Sequence, residues 1–196
     1  MRKIFFFLSI TAALILAFSH QSDACVGKTL YIGALNSTYE QLFSEMLSVV
    51  ISERTGTTVD IKYYKDSREL YNAVKKNEVG ILIENTDRAM EILDRQREQN
   101  PEAAYNISKE EFRKNLNLVW LKPFVPLTRE GGKNQYYYSP VITVDVLSNF
   151  PALPRVINKL SGIMNEETFL KMVKSVKSGE KPKKVARDFL KARKLI

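Results

Sequence analysis

The chain has 196 residues, with 30 Lys or Arg against 22 Asp or Glu and a formal net charge of +8, but only one histidine and one cysteine. Both fall near the start, as His20 and Cys25. From residue 26 onward the sequence therefore excludes a Ser-His-Asp or Cys-His nucleophile system, an imidazole acid or base, an ordinary zinc site and an internal disulfide. No paired carboxylate or lysine signature takes their place, so the sequence predicts a protein that is not an enzyme and carries no cofactor or metal.

In chain order, Arg2 and Lys3 precede an apolar run from Ile4 to Phe18, and a polar segment ends in Ser22-Asp23-Ala24, small residues where a signal peptidase cuts. The run is shorter than the roughly 20 residues of a membrane-spanning helix. The predicted organisation is an export signal over residues 1–24 and a mature chain over 25–196 in the periplasm or cell envelope. Cleavage after Ala24 makes Cys25 the first residue, where a bacterial lipoprotein carries its lipid. A lipobox needs an aliphatic residue at the position of Ser22, so a free thiol is favoured over an anchor.

Lys28 to Ala34 reads as a buried strand. Ser37 and Glu40 then have the spacing of a capping box, Leu42, Phe43, Met46, Leu47, Val50 and Ile51 form the apolar face of a helix, and Gly56 stops it. Thr57 to Tyr64 alternates as a strand, Asp66 to Lys76 is a second amphipathic helix, and the continuously apolar Val79 to Ile83 belongs in a sheet covered on both faces. This order predicts an α/β fold of three layers around a mostly parallel, doubly wound sheet. Further on, helices are expected over Thr86 to Gln99 and Ser108 to Asn115, with a strand over Leu118 to Leu121. Pro123, Pro126, Gly131 and Gly132 break the chain, a strand resumes over Tyr136 to Val144, and helices span Pro151 to Leu160, Glu166 to Lys177 and Pro182 to Lys194. Ten Lys or Arg stand against two acids from Lys171 to Lys194. Val173, Val176, Val185, Phe189 and Leu190 interrupt them, which reads as the solvated faces of terminal helices rather than a nucleic-acid or membrane site.

Three stretches carry a resemblance. The segment IGALNSTYEQLFSEMLSVVISERTG, with Asn36, Glu40 and Gln41, resembles the opening of the glycine betaine, choline and related quaternary-amine substrate-binding proteins of ABC importers. NEVGILIENT, with Glu84 and Thr86, resembles that family's third-strand motif, and the stretch from Ser139 to Ile196 is similar to its ending. The resemblance implies a type II periplasmic binding fold, whose two α/β lobes close on a ligand like a clam. Here the exit strand at Leu121 and the return strand near Tyr136 are separated by about a dozen residues, too few for a second lobe. The expectation is a single lobe over 25–196, with the missing lobe replaced by a short turn at about 122–134.

The family's motif tyrosine is Asn85 here, Asp87 stands in place of a glycine, and Gly80 replaces an aspartate. An aromatic cage holds a quaternary ammonium by about 0.5–2 kcal/mol per ring, so losing a ring and the opposing lobe implies weak or altered binding. The candidate ligand-binding residues are Asn36, Ser37 and Thr38 at the first helix N-terminus, Glu84 and Asn85 at a strand's carboxyl end, and Tyr137. The competing reading of Ser37 and Glu40 is a helix cap alone. In the run Tyr136-Tyr137-Tyr138, strand alternation allows either Tyr137 alone or Tyr136 with Tyr138 to face the ligand side. Two functions follow. One is an exported solute-binding protein that takes a quaternary amine or similar solute and works with an ABC transporter permease. The other is a degenerate lobe whose exposed cleft face binds a protein or a second copy of itself. Nucleic acid is not an expected partner.

Overall fold

A computed structural model describes residues 29–129, 131–132 and 134–196. The expected export signal, His20, Cys25 and the first residue of the expected first strand, Lys28, lie outside the described residues.

The first half follows the predicted alternation. Strand β1 (Leu30–Leu35) leads into α1 (Thr38–Thr55), β2 (Val59–Tyr64), α2 (Ser67–Lys75), β3 (Ile81–Asn85) and α3 (Thr86–Ile92). Side chains fix the helix starts: Ser37 Oγ accepts from the Glu40 N–H, Asp66 Oδ1 from that of Glu69, and Asn85 Oδ1 from that of Arg88. Each satisfies an amide that the helix itself leaves without a partner. Gly56 ends α1 in the left-handed conformation at φ 69°, as its position in the sequence requires.

The second half holds α4 (Pro101–Leu116), β4 (Leu118–Trp120), β5 (Val125–Thr128), β6 (Gln135–Thr143), α5 (Val144–Asn149), α6 (Leu153–Ile157) with a 3₁₀ turn over Asn158–Leu160, α7 (Glu166–Lys177) and α8 (Pro182–Ala192). Three expectations are corrected. The helix expected over Thr86 to Gln99 ends at Ile92, and two residues later Asp94 takes a left-handed φ of 52°. Helix α4 starts at Pro101 and not at Ser108, because Asn100 caps it through the N–H groups of Glu102 and Ala103 while Pro101 supplies a preset φ. Ser108 is buried in mid-helix, its hydroxyl donating to the Ala104 carbonyl. The proline-rich stretch also contains a strand. In β5 the outward N–H of Thr128 is taken by Glu166 Oε1 at 2.6 Å, and Pro126, two residues earlier on the same side, has no N–H to satisfy. An edge strand tolerates proline for that reason.

The sheet order is β2-β1-β3-β6-β4, with β5 also paired to β6. Strands β1, β2 and β3 are mutually parallel, whereas β6 is antiparallel to β3, β4 and β5. Thus β6 alone runs against the rest, and the sheet is mostly parallel. Helices cover both faces. On one, Ile32, Ile81 and Ile142 meet α1, α6, α7 and α8, and the Phe43 ring stacks between those of Phe124 (4.6 Å) and Phe169 (4.4 Å). On the other, Leu82 and Val141 meet Leu70 and Val74 of α2, Ala89 of α3 and Phe112 of α4, with Trp120 buried among them. Trp120 is 2 % exposed.

Gly80 has a packing reason. A Cβ there would lie 2.3 Å from Val146 Cγ2, and the Gly80 backbone bonds to Tyr31 O and to the Thr143 N–H. No aspartate fits without displacing α5. The Gly80→Ala protein should be less stable by about 1–3 kcal/mol in urea unfolding, the range for overpacking a filled core. Adding Val146→Ala should recover part of that loss. A neutral Gly80→Ala variant would show that α5 does not press on this strand.

Candidate functional site

The carboxyl ends of β1 and β3 meet the N-termini of α1 and α3 around one buried cation. Glu84 and Glu40 are 0 % and 2 % exposed, and Arg88 8 %. Arg88 Nε donates to Glu84 Oε1 at 2.5 Å, Nη1 to Glu40 Oε1 at 2.7 Å, and Nη2 to the Ile83 carbonyl at 2.6 Å. The remaining carboxylate oxygens are used as well. Glu40 Oε2 accepts from the Leu35 N–H at 2.6 Å, Glu84 Oε2 from the Tyr71 hydroxyl at 2.6 Å, and Glu84 Oε1 also from the Asn85 N–H at 2.7 Å. Glu40 is therefore only half of the expected capping box: its N–H bonds to Ser37, but its carboxylate turns back to β1 and to Arg88.

Two carboxylates share a single guanidinium, and the titration behaviour follows from that. Burial holds Glu40 above the ordinary carboxylate range even though Arg88 opposes the shift. For Arg88 burial acts downward, but Glu84 and Glu40 outweigh it and the guanidinium stays charged. Burial, then Glu84, pushes the Tyr71 hydroxyl well above its usual value, so it remains a donor.

Above this node lies an open cleft of about 650 Å³ lined by Ser37, Tyr39, Asn85, Asp87, Arg97, Thr128, Arg129, Tyr136 and Tyr138. Its position is the one that open α/β sheets favour for ligands, outside the carboxyl ends of parallel strands. Three rings form an apolar side: Tyr138 lies 5.6 Å from Tyr136 and 6.3 Å from Tyr39, centroid to centroid. Burial first, then Tyr39 and Asp87, raises the Tyr136 hydroxyl to about 12, and Tyr138 is raised further by burial and Glu40, so both phenols stay protonated at neutral pH.

The opposite side is ionic. Arg129 holds Asp87 with two bonds of 2.8 and 2.5 Å and donates to the Glu98 carbonyl at 3.0 Å, while Arg97 Nε stands 3.6 Å from the same carboxylate. The Asp87 hydrogen bond is the first cause of Arg129's raised pKa. Because Ser37 Oγ and Asn85 Oδ1 are occupied as helix caps, what these residues offer a solute is their donors, the Ser37 O–H and the Asn85 amide.

Of the residues singled out from sequence, Ser37 and Asn85 line this cleft. Asn36 is exposed beside it and accepts from Gln41 Nε2 at 2.8 Å, and Thr38 is the first residue of α1. Glu84 sits beneath the cleft in the buried node. Tyr137 points to the other sheet face, where its ring meets Tyr105 edge-on at 6.2 Å and its hydroxyl is 3.5 Å from Glu102 Oε2. Strand alternation thus resolves in favour of Tyr136 with Tyr138 on the cleft side. Tyr39, Asp87, Arg97, Thr128 and Arg129 join the cleft without having been singled out as binding residues. Tyr39 was legible, the second residue of a helix that starts at a strand's carboxyl end. Arg129 depends on the β5–β6 pairing, which the sequence pattern hides.

Removing the shared cation should be severe. Arg88→Met leaves two buried carboxylates without a counter-charge and is expected to cost about 3–5 kcal/mol in denaturant unfolding. A loss below 1 kcal/mol would mean that the node is wet and loosely held. The raised pKa of Glu40 sets a second expectation. The folded protein binds that proton more tightly than the unfolded chain, so Glu40's contribution is fully present below its ordinary value of 4.5 and declines as pH rises through the raised value. Urea midpoints measured against pH should fall for the unmodified protein relative to Glu40→Gln across that interval, and a relative rise would contradict the assigned direction.

No protein-family model and no curated protein matches the sequence. Solved structures do match. A glycine betaine/carnitine/choline ABC transporter protein superposes with a TM-score of 0.73 at 14 % identity, covering 86 % of this chain and 98 % of the other. Apo YehZ from Escherichia coli gives 0.76 at 13 % identity over 87 % and 100 %, and lactococcal OpuAC, closed on glycine betaine, gives 0.57 at 8 % over 86 % and 97 %. Among the described residues no helix is long and apolar enough to cross a membrane, and no cluster of three or more His, Cys, Asp or Glu is placed to hold a metal ion. The chain has the fold of the substrate-binding proteins of ABC transporters.

Proposed function

We propose that the chain is an exported solute-binding protein resembling the glycine betaine and choline binding components of ABC importers, built as a single lobe with residues 122–134 closing the place of a second. One observation carries this reading: a cleft with three tyrosine rings on one side and hydrogen-bond donors on the other lies at the carboxyl ends of β1 and β3. The solute is a quaternary amine or a similar small molecule. Its apolar cationic part rests on Tyr39, Tyr136 and Tyr138, and its polar part meets Ser37, Asn85 and Arg129, with Asn36 and Thr38 at the rim. Because the cleft is open on one side, water competes at every contact and each ring contributes near the lower end of about 0.5–2 kcal/mol. Binding is correspondingly weak. The macromolecular partner in this reading is the permease of an ABC transporter.

The cleft rim supports solute binding over self-association through the same face, since Asp87, Arg97 and Arg129 make it polar. The large apolar side chains exposed among the described residues, Tyr31, Tyr63 and Leu170, do not line it.

Isothermal titration with glycine betaine, carnitine and choline should give saturable heat in the millimolar range for at least one of the three. Tyr136→Leu, which removes a half-buried ring but keeps apolar volume, should weaken that binding about three- to tenfold. No heat from any of them, together with a dimer in size-exclusion chromatography, would overturn the solute-binding reading in favour of an interaction module.

A further inference from the structure

We propose that the chain pairs with a second copy of itself along the open edge of β2, so that the two sheets continue into one. Strand β2 ends the sheet order and is paired to β1 alone. In that parallel ladder the Leu30 N–H reaches the Thr58 carbonyl and the Asn36 N–H the Tyr64 carbonyl, so the even-numbered residues of β2 turn their backbone groups to β1. Val59, Ile61 and Tyr63 turn theirs outward, and no described residue bonds to those N–H and carbonyl groups. The other edges of the sheet are blunted. Strand β4 has three residues, and in β5 Pro126 has no N–H while Glu166 takes that of Thr128. Strand β2 has six residues, no proline and a continuous register with β1. Of the large apolar side chains exposed among the described residues, Tyr63 stands on it and Tyr31 beside it.

The sequence of the strand selects a second copy as its partner. Centred on Ile61, the run Val59-Asp60-Ile61-Lys62-Tyr63 is complementary to its own reverse. Antiparallel pairing about a two-fold axis at Ile61 sets Ile61 opposite Ile61 of the second copy and Val59 opposite Tyr63. These pairs exchange bonds through every outward N–H and carbonyl of the three residues. Asp60 then lies opposite Lys62 of the second copy, twice by symmetry, in the closer kind of pair, with Cα atoms about 4.5 Å apart. Within the chain neither charge has an ion-pair partner among the described residues. Asp60 is exposed, and Lys62 rests over the Tyr31 ring at 4.3 Å and donates to the Glu78 carbonyl at 3.2 Å. On the other face Val59 and Ile61 pack partly against the core, and the Tyr63 hydroxyl lies 3.4 Å from Ser44 Oγ of α1.

Neighbouring registers are rejected. A slip of one residue sets outward groups against residues whose own groups are taken by β1. A slip of two sets Asp60 opposite Asp60, or Lys62 opposite Lys62, and like charges directly opposite repel. The pairing is isologous and closes on itself, so it gives a dimer and not a filament. None of these residues lines the cleft, so the pairing is independent of the solute-binding reading.

The test uses the protein purified from cells that express the full chain, in sedimentation velocity at physiological salt over a concentration series. A dimer should form as concentration rises through the micromolar range, and the amides of Val59, Ile61 and Tyr63 should become protected from hydrogen exchange in step with it. Asp60→Lys and Lys62→Asp each set like charges opposite one another and should each weaken dimerisation about tenfold, whereas the two combined restore opposite charges and should recover most of that loss. Ile61→Pro, which removes an outward N–H without breaking the β1 ladder, should abolish the dimer. Circular dichroism establishes that the variants are folded. A monomer at every concentration, a double variant as weak as the single ones, or a dimer weakened by Tyr136→Leu but not by Asp60→Lys would each overturn the proposal.

Discussion

Arg88 stands between Glu40 and Glu84 with almost no solvent, and the upper end of the fold is organised around that arrangement. A charged guanidinium is costly to bury, and so are two carboxylates, so every lone pair and N–H must find a partner. Each guanidinium nitrogen and each carboxylate oxygen has one, and the partners come from β1, α1, α2, β3 and α3. Five elements that would otherwise be free to shift are held by short charge-assisted bonds with fixed directions. The shortage of positive charge is also specific: one cation serves two acids, which is why burial prevails at Glu40 while the arginine remains ionised.

The cleft inherits its chemistry from this substructure. The two helix starts at its floor use Ser37 Oγ and Asn85 Oδ1 to satisfy their own amides, which leaves donors facing the solvent. The one carboxylate on the wall, Asp87, is already engaged by Arg129. Acceptors are therefore scarce in the cleft and donors plentiful, beside three aromatic rings. The aromatic side continues downward, since Tyr138 packs on Phe43 and Tyr39 on Phe169. Ring positions in the cleft are thus set by the hydrophobic core and not by mobile loops.

The cleft and the C-terminal end of α8 lie at opposite ends of α1. Its N-terminus carries the cleft and its C-terminus lies beside the cationic end of α8, joined by the bond from Arg54 to the Leu195 carbonyl. Outside Lys171 to Lys194 the two signs balance, so the positive charge of the protein is unevenly placed along the chain.

Elements whose signals are local were legible from the sequence. The cap at Ser37, the stop at Gly56, the alternation of β2 and the unbroken apolarity leading into β3 each depend on neighbours a few residues away, and each element formed as its pattern required. The absence of histidine after residue 20 likewise removed whole classes of chemistry without reference to any fold. What depends on distant partners was not legible. Strand β5 exists because Glu166, 38 residues on, takes the Thr128 N–H and because an edge position tolerates Pro126. Glu84, a polar residue at a strand end, becomes a buried structural group only because Arg88 and Tyr71 converge on it. Tyr137 and its neighbours follow a strict alternation, yet which side faces the cleft is set by β6 pairing with β3 in one register, and sequence alone cannot fix a register. Local patterns determined the elements, and long-range hydrogen bonds and burial decided which of their side chains meet.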